Sequence, residues 1–267
     1  MPGRRRLDAE LVRRGLARSR DAAAELIQDG RVTVSGRPAT KAATAVAPGD
    51  AIVVTELDTD QYVSRGGHKL RGALDVFSAD GLTVAGRRCL DAGASTGGFT
   101  DVLLRAGAAH VVAVDVGYGQ LAWSLRTDDR VTVLDRTNVR ELTPDRIGGA
   151  VDLIVADLSF ISLRLVLPAF AACATPGADL VLMVKPQFEV GRENVGKGGV
   201  VRDPGLRVEA VMEVAGTAAE LGLGVAGVVA SPLPGPSGNV EYFLWLAFGA
   251  PPPDRDAVHR AVKEGPQ

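Results

Sequence analysis

Seven short segments, each four to seven residues long and most of them rich in apolar residues, divide the region between residues 88 and 248. Stretches with helical spacing of apolar residues separate most of them, and strands that alternate with helices are typical of a doubly wound α/β fold. The sequence therefore predicts a seven-stranded, Rossmann-like α/β domain. Its expected strands are residues 88–91, 110–116, 131–135, 152–156, 180–184, 224–230 and 242–248.

The connection between the last two predicted strands is too short for a crossover helix. It reads "SPLPGPSGNVE", whereas parallel neighbours need a connection of about a dozen residues or more, usually a helix. We therefore expect the final strand to run antiparallel to its neighbour.

Five of the predicted strands end in a charged residue. In an open α/β sheet the carboxyl ends of the parallel strands share one edge, where ligands bind. An antiparallel last strand starts at that edge, so Glu241 joins the group, and Lys69 lies on the predicted helix that leads into the domain. The five strand ends are Asp91, Asp115, Asp135, Asp157 and Lys185.

Lys185 follows the apolar run "LVLMV" and precedes Pro186, which ends the strand. One interpretation is that Lys185 is only the first solvated residue after a buried strand, because lysine is rarely buried. The other is that the strand holds an amine rigidly at the ligand-binding edge.

The first strand runs into the glycine-rich turn "DAGASTGGFT", and Asp115 ends the second strand 22 residues after Gly93. Glycines that admit a ligand, followed by a carboxylate for the ribose hydroxyls, predict an adenosine-cofactor site. Ser95 stands where a dinucleotide-binding turn has its second glycine. That position must admit a pyrophosphate, so the sequence favours S-adenosylmethionine, which carries no phosphate. A turn that only packs a helix on a strand is the alternative.

A second glycine-rich segment, "GRENVGKGG", resembles a phosphate-binding loop. Gly198 stands where such a loop needs Ser or Thr to hold magnesium, and Pro186 interrupts the strand that should lead into it. We expect residues 187–203 to form a mobile loop.

The first 49 residues carry ten Arg and Lys and five Asp and Glu, in a chain whose formal net charge is −2. Ser19 is placed to cap a second short helix, and alternating apolar residues predict a small hairpin sheet. A basic end on an acidic body indicates a polyanionic partner, although a solvated charged face is the alternative. The predicted divisions are a small α+β domain over residues 1–58, a linker over 59–64, an α/β domain over 65–250 and a tail over 251–267.

Composition argues against several other classes. Cys89 and Cys173 are far apart, and the three histidines are scattered, so neither a disulfide framework nor a metal site is expected. No secretory signal and no apolar run of about 18 residues is present. We expect a cytoplasmic monomer that uses no metal and enters no membrane.

Motifs along nearly the whole chain resemble the TlyA family of ribosomal RNA 2′-O-methyltransferases. These motifs are "SRGGHKL", "DAGASTGGFTD", "ADLSFISL", "VKPQFE" and "GPSGNVEYFLWL". Ahead of them, "ARSRDAAAELIQDGRVTVSGRPA" resembles the α-L RNA-binding module of a ribosomal small-subunit protein and of pseudouridine synthases. The resemblance implies an S-adenosylmethionine-dependent, FtsJ-like methyltransferase that modifies ribose, cytidine in particular, in 16S or 23S ribosomal RNA within ribosomal subunits.

The resemblance also implies three sets of functional residues, each placed by its position in these motifs. The catalytic tetrad is Lys69, Asp157, Lys185 and Glu241. The cofactor-binding set is Asp91, Gly93, Ser95, Gly97, Gly98, Phe99, Asp115 and Asp135. The RNA-binding set is Arg4, Arg5, Arg6, Arg14, Arg18, Arg20 and Lys41.

These residue types suit the chemistry. A ribose 2′-hydroxyl is a poor nucleophile until its proton leaves, so a base or an orienting hydrogen-bond partner is needed. Lys185 fits either role, and the sequence leaves both open. Two other functions are considered: a non-catalytic RNA-binding or ribosome-assembly factor, and a haemolysin.

Overall fold

The structure is a computed structural model, which describes residues 4–17, 19–28, 30–55, 62–235 and 238–265. It divides into two compact units, residues 1–65 and residues 66–267. Each unit has its own hydrophobic core.

The first unit consists of two short helices and two small antiparallel sheets, in which β1 pairs with β4 and β2 lies between β3 and β5. The Ser19 hydroxyl accepts a hydrogen bond of 3.1 Å from the Ala22 amide, which is the predicted helix cap. The elements are β1 (Arg5–Arg6), α1 (Leu7–Arg13), α2 (Arg20–Gln28), β2 (Val32–Val34), β3 (Arg37–Pro38), β4 (Ala45–Val46) and β5 (Ile52–Val54).

The second unit opens with helix α3 (Gly66–Phe77) and is built on a seven-stranded sheet. Its strands are β6 (Arg88–Ala92), β7 (His110–Val114), β8 (Val131–Leu134), β9 (Val151–Ala156), β10 (Ala174–Val184), β11 (Leu223–Ala230) and β12 (Tyr242–Phe248). Its other helices are α4 (Gly98–Arg105), α5 (Trp123–Arg126), α6 (Leu167–Cys173), α7 (Pro186–Glu189), α8 (Pro204–Glu220) and α9 (Arg255–Glu264).

The strand order is β11-β12-β10-β9-β6-β7-β8, and β12 runs antiparallel to both of its neighbours. The other pairings are parallel. This confirms the predicted fold class and the antiparallel last strand. The chain passes from β6 outward through β7 and β8 and then returns to β9 on the other side of β6, so the strand order reverses between β6 and β9. Such a reversal is where doubly wound sheets bind ligands.

The centre of the sheet is almost entirely apolar and buried. Residues 153–156 of β9 and 178–184 of β10 are buried, as parallel strands covered by helices on both faces require. Strand β10 begins six residues earlier than predicted, because its half-buried first residue, Ala174, still pairs with Val151 before the register shifts.

The end of the chain corrects a prediction. Residues 251–267 were expected to form a tail, but Arg255–Glu264 is a helix whose Val258, Ala261 and Val262 are buried. Ala261 and Val262 follow Val258 by three and four positions, so the three side chains share one face of the helix. This apolar stripe packs onto the core. The Asp254 side chain caps the helix through the Asp256 amide.

None of the helices in the described part of the chain combines the length and the apolarity that crossing a membrane requires.

Candidate active site

Lys185 stands between β10 and α7, with its side chain only 7% exposed. Its Nζ lies 2.6 Å from Asp157 Oδ1 and donates a hydrogen bond of 3.0 Å to Ser159 Oγ. Pro186 occupies the first position of α7, where a missing N–H costs nothing, and it fixes where the strand ends. Lys185 is therefore a buried, ion-paired amine and not a solvated residue after the strand.

Glu241 and Lys69 form a second ion pair. Glu241 immediately precedes β12, is fully buried, and accepts a hydrogen bond of 2.5 Å from Lys69 Nζ on α3. The antiparallel register sets Tyr242 opposite Val184, so Glu241 comes to the edge where β10 delivers Lys185.

The two ion pairs share one electrostatic environment. Burial raises the pKa of Glu241, Lys69 and Lys185 lower that pKa, and Asp157 raises it. The structure thus brings together all four residues predicted as the tetrad. Buried ion pairs add little net stability, because desolvation offsets their attraction. A cluster of two amines and two carboxylates in a sheet edge therefore indicates a functional site.

The predicted cofactor turn begins beside this cluster. Gly93 has a φ of +88°, and a Cβ on it would lie 2.6 Å from the Asp157 carbonyl oxygen. The Asp157 amide in turn donates to the Ala92 carbonyl oxygen at 3.1 Å. Only glycine lets the turn after β6 lie this close to the end of β9, which places the turn next to the tetrad.

Asp91 is the second-last residue of β6 and is fully buried. Burial raises its pKa to about 7, and the Thr100 hydroxyl donates a hydrogen bond of 2.6 Å to its Oδ2. Within the described residues its Oδ1 has no hydrogen-bond partner. A buried carboxyl oxygen without a partner beside a glycine turn fits a ligand that supplies a donor.

Asp115 closes the turn from the side of β7. Its two carboxylate oxygens accept hydrogen bonds from the Ser95 amide at 2.9 Å and from the Gly117 amide at 2.6 Å. Ser95 itself has a φ of +45°. Each carboxylate oxygen of Asp115 keeps a further lone pair for a ligand.

The other predicted cofactor residues divide between the turn and the core. Gly97 and Gly98 lead into α4. Asp135 accepts hydrogen bonds from the Gly119 amide and from Arg126, so its carboxylate is already paired. Phe99 is buried, and its ring centroid lies 6.0 Å from that of Phe243, so its side chain belongs to the core.

Two functional positions were missed by the sequence analysis. The first is Glu189, four residues after Lys185, which is buried and accepts hydrogen bonds from the Ser162 hydroxyl at 2.5 Å and from the Leu163 amide at 2.8 Å. It ties the "VKPQFE" motif to "ADLSFISL". The acidic residue was visible in the sequence, but its hydrogen bonds to residues 26 and 27 positions earlier were not.

The second is Asn239, two residues before Glu241. It is buried, accepts a hydrogen bond from the Val201 amide at 3.1 Å, and donates one of 2.8 Å to the Gly199 carbonyl oxygen. These bonds fasten the glycine-rich segment that resembled a phosphate-binding loop to the start of β12. Residues 187–203, predicted as a mobile loop, contain most of α7 and a bridge between Gly196 and Val200.

Phe160 lies three residues beyond Asp157 and is 91% exposed, with a φ of +64°. Its ring centroid is 5.3 Å from that of Phe188 on α7. A positive φ is uncommon for a bulky residue, so the backbone holds this exposed ring in an unusual conformation.

The predicted RNA-binding residues of the first unit differ in their surroundings. Arg4, Arg5 and Lys41 are exposed, and Arg6 and Arg20 pair with Asp8. Arg18 and residues 59–61 of the predicted linker lie outside the described residues. Arg14 pairs with Glu10 and donates to backbone carbonyl oxygens of residues 48 and 50, so its guanidinium braces the unit itself.

Comparison with known proteins places this site in a family. Residues 62–248 match the FtsJ-like methyltransferase family, and residues 5–52 match the S4 domain. The chain is therefore a methyltransferase enzyme with an S4 domain in front, the class that its fold and its strand-edge site define.

The relatives narrow the class further. The chain is 64% identical to the 16S/23S rRNA (cytidine-2′-O)-methyltransferase TlyA of Mycobacterium tuberculosis, over 100% of both chains. It is 37% identical to Hemolysin A of Brachyspira hyodysenteriae, over 89% of this chain and 97% of that one. A solved structure of a Streptococcus thermophilus protein described as a hemolysin is 38% identical, with a TM-score of 0.74 over 99% of this chain and 98% of that one. The chain belongs to the TlyA family.

Proposed function

We propose that this enzyme transfers a methyl group from S-adenosylmethionine to a ribose 2′-hydroxyl, that of a cytidine, in ribosomal RNA of the 16S or 23S type. The observation that carries the proposal is the buried pairing of Lys185 with Asp157 and of Lys69 with Glu241 at the strand edge next to the glycine turn. The activity in the name of the Mycobacterium tuberculosis relative supports it.

The residues at the glycine turn fit S-adenosylmethionine. The unpartnered Oδ1 of Asp91 and the open lone pairs of Asp115 offer acceptors for the amine and the hydroxyls of such a cofactor. When bound, S-adenosylmethionine supplies an electrophilic methyl group on a sulfonium centre. The remaining chemistry, which is to orient the hydroxyl and remove its proton, falls to side chains of the protein.

Lys185 is the group proposed to act on the hydroxyl. Its Nζ is fixed by Asp157 and Ser159, so it can hold the hydroxyl in one orientation, and proximity of this kind contributes up to roughly 7–11 kcal/mol in ideal cases. To accept the proton, the amine must first release its own. Lys69 and Glu241 complete a cluster with balanced charge around it. The exposed ring of Phe160 suits stacking by an unpaired base, as in single-stranded RNA recognition.

The two roles of Lys185 are separable with Lys185→Arg. Arginine keeps the positive charge and the donors but does not accept a proton. If Lys185 is the base, Lys185→Arg should be as inactive as Lys185→Ala; if Lys185 only orients the hydroxyl, Lys185→Arg should keep measurable transfer.

The direct test of the function uses the full chain with methyl-labelled cofactor. Transfer is measured to intact ribosomes, to separated subunits and to deproteinised 16S and 23S RNA, and the modified nucleotide is mapped. Alkali-resistant label at a cytidine is expected, because a 2′-O-methyl group blocks cleavage at that nucleotide. Label on a base, or no transfer to any of these substrates, would overturn the proposal.

The S4 domain is proposed to bring the RNA to this site, and a cytoplasmic location follows from ribosomal RNA as substrate.

The names of two relatives raise membrane lysis as another activity. Dye leakage from liposomes, measured beside methyl transfer on the same preparation, tests it: leakage that persists in Lys185→Ala would establish a separate lytic activity.

A further inference from the structure

Asp8 connects three elements of the first unit. It lies on α1, and its Oδ2 accepts hydrogen bonds of 2.9 Å from the terminal nitrogen of Arg6 in β1 and of 2.9 Å from that of Arg20 in α2. Its Oδ1 accepts from Arg6 Nε at 3.1 Å and from the Ala9 amide at 2.8 Å. Because both guanidinium groups donate to one oxygen atom, their terminal nitrogens lie within about 6 Å of each other.

The carboxylate is buried while both arginines are open to solvent. The side chain of Asp8 is 6% exposed, against 51% for Arg6 and 59% for Arg20. The hydrogen bond from Arg6 holds the pKa of Asp8 well below its usual range, against the effect of burial and with the help of Arg20. Asp8 is therefore ionised at neutral pH.

Asp8 uses only part of what the two arginines can donate. A guanidinium group has five N–H donors, and Asp8 takes two from Arg6 and one from Arg20. In the part of the chain that the structure describes, these two side chains have no second acceptor. Most of their donors thus face solvent, although the position of each guanidinium group is fixed.

The neighbouring carboxylate, Glu10, provides a contrast on the same helix. It also holds two arginines, Arg13 and Arg14. Arg14, however, is 22% exposed and spends further donors on the carbonyl oxygens of Pro48 and Asp50. That cluster closes the fold of the unit, whereas the Asp8 cluster leaves its donors available.

We propose that Asp8 is a positioning residue, which holds Arg6 and Arg20 as a preorganised pair of guanidinium groups for one phosphate group of the RNA. Two planar guanidinium groups at this separation can both donate to the oxygens of a single phosphate group, which is the geometry in which arginine binds phosphate. Holding both side chains in place before binding removes the entropic cost of ordering them. This inference rests on the proposed RNA-binding function.

The proposal predicts a result opposite to that expected from charge alone. Asp8→Asn removes a negative charge from a surface that faces a polyanion, so charge alone predicts tighter binding. Loss of the fixed geometry predicts weaker binding, by about 3- to 10-fold, because two long side chains must then be ordered by the RNA. The direction of the change therefore distinguishes the two.

The test uses the full chain and purified 16S and 23S RNA in filter binding at several salt concentrations. Asp8→Asn is compared with Asp75→Asn, which removes the same charge from an exposed ion pair with Arg71 on α3. We expect weaker binding for Asp8→Asn, and wild-type or slightly tighter binding for Asp75→Asn. Binding by Asp8→Asn that equals or exceeds that of the wild type would overturn the proposal.

A second variant guards against a folding defect in the first. Arg20→Lys keeps the charge and leaves the pair of Arg6 with Asp8, but it replaces the planar fork with a single point. We expect it to bind about as weakly as Asp8→Asn, and the double variant Asp8→Asn/Arg20→Lys to be little worse than either, because the residues act as one unit. Wild-type affinity for Arg20→Lys would also overturn the proposal. Failure of the wild-type chain to bind ribosomal subunits as well as both purified RNAs would instead overturn the proposed function.

Discussion

The cations of the two units stand in opposite relations to solvent. In the methyltransferase unit, Lys69 and Lys185 are buried and each touches a carboxylate. In the S4 unit, Arg6 and Arg20 are more than half exposed, and the carboxylate that holds them is the buried partner. A buried amine is shielded from water and held by one carboxylate, which suits a group that takes part in a reaction. An exposed guanidinium group whose position is fixed by a buried carboxylate suits phosphate binding. The two clusters therefore differ in the burial of the cation itself, and not in the presence of an ion pair or in the burial of its partner.

The largest expected effect tests the buried cations. Lys185→Ala should lower single-turnover methyl transfer to ribosomal subunits by about 100-fold or more, because an acid–base or orienting group is lost. Cofactor binding should change little, and a thermal melt checks that the variant is folded. The matched control is Lys263→Ala, an exposed lysine on α9, for which wild-type turnover is expected. Normal turnover in Lys185→Ala would make the buried cation no more important than an exposed one.

The next effect concerns the cofactor side of the same edge. Asp115→Ala should weaken S-adenosylmethionine binding about tenfold or more, since hydrogen bonds to a charged group contribute about 1.5–3 kcal/mol. Calorimetry measures this affinity, and RNA binding of the same variant should stay near that of the wild type. Unchanged cofactor affinity would show that a residue other than Asp115 contacts the ribose of the cofactor. A loss of RNA binding as well would indicate that the turn between Ser95 and Gly117 had collapsed.

A pH-dependent effect follows from Asp91. Burial raises its pKa from 3.8 to about 7, so between about pH 4 and pH 7 the folded protein keeps a proton that the unfolded chain has released. The stability that this group contributes is full below about pH 4 and is lost as the pH rises through 7. Relative to the wild type, Asp91→Asn should therefore lose less stability between pH 5 and pH 7, by at most about 1.4 kcal/mol per pH unit.

Urea unfolding at pH 5, 6 and 7 measures that difference. Asp128→Asn is the control, because Arg130 lowers the pKa of Asp128 and its titration lies below this window. Parallel stability curves for Asp91→Asn and wild type would show that Asp91 is ionised in the folded protein throughout.

The smallest expected effect lies in the S4 unit. It concerns whether some of its arginines stabilise the fold of the unit while others are left to contact RNA. Arg14→Ala should destabilise this unit by about 1 kcal/mol through the lost bonds to Glu10 and to the backbone of residues 48 and 50. Hydrogen exchange of the amides in residues 46–54 reports the change. The exposed Arg37 provides the comparison: Arg37→Ala should leave protection intact. Equal protection in both variants would remove the distinction.

The sequence by itself determined the order of the strands along the chain and the charged residue at the end of five of them. These are local properties: an apolar run of four or five residues followed by Asp157, or by Lys185 and Pro186, indicates a buried strand and its end without knowledge of the neighbours. The capping Ser19, the glycine turn after β6 and the antiparallel last strand were predictable for the same reason, since each depends on a few adjacent residues or on the length of one connection.

Tertiary structure alone decided which of these groups meet. Glu241 pairs with Lys69 across 172 positions, Glu189 closes on Ser162, and Asp8 holds Arg20 from another helix. Phe99 entered the core, although its motif placed it at the cofactor turn, and the expected tail became α9. Such contacts depend on strand order, helix packing and side-chain rotamers, which are set by the burial of the whole core and leave no periodic signal in the chain.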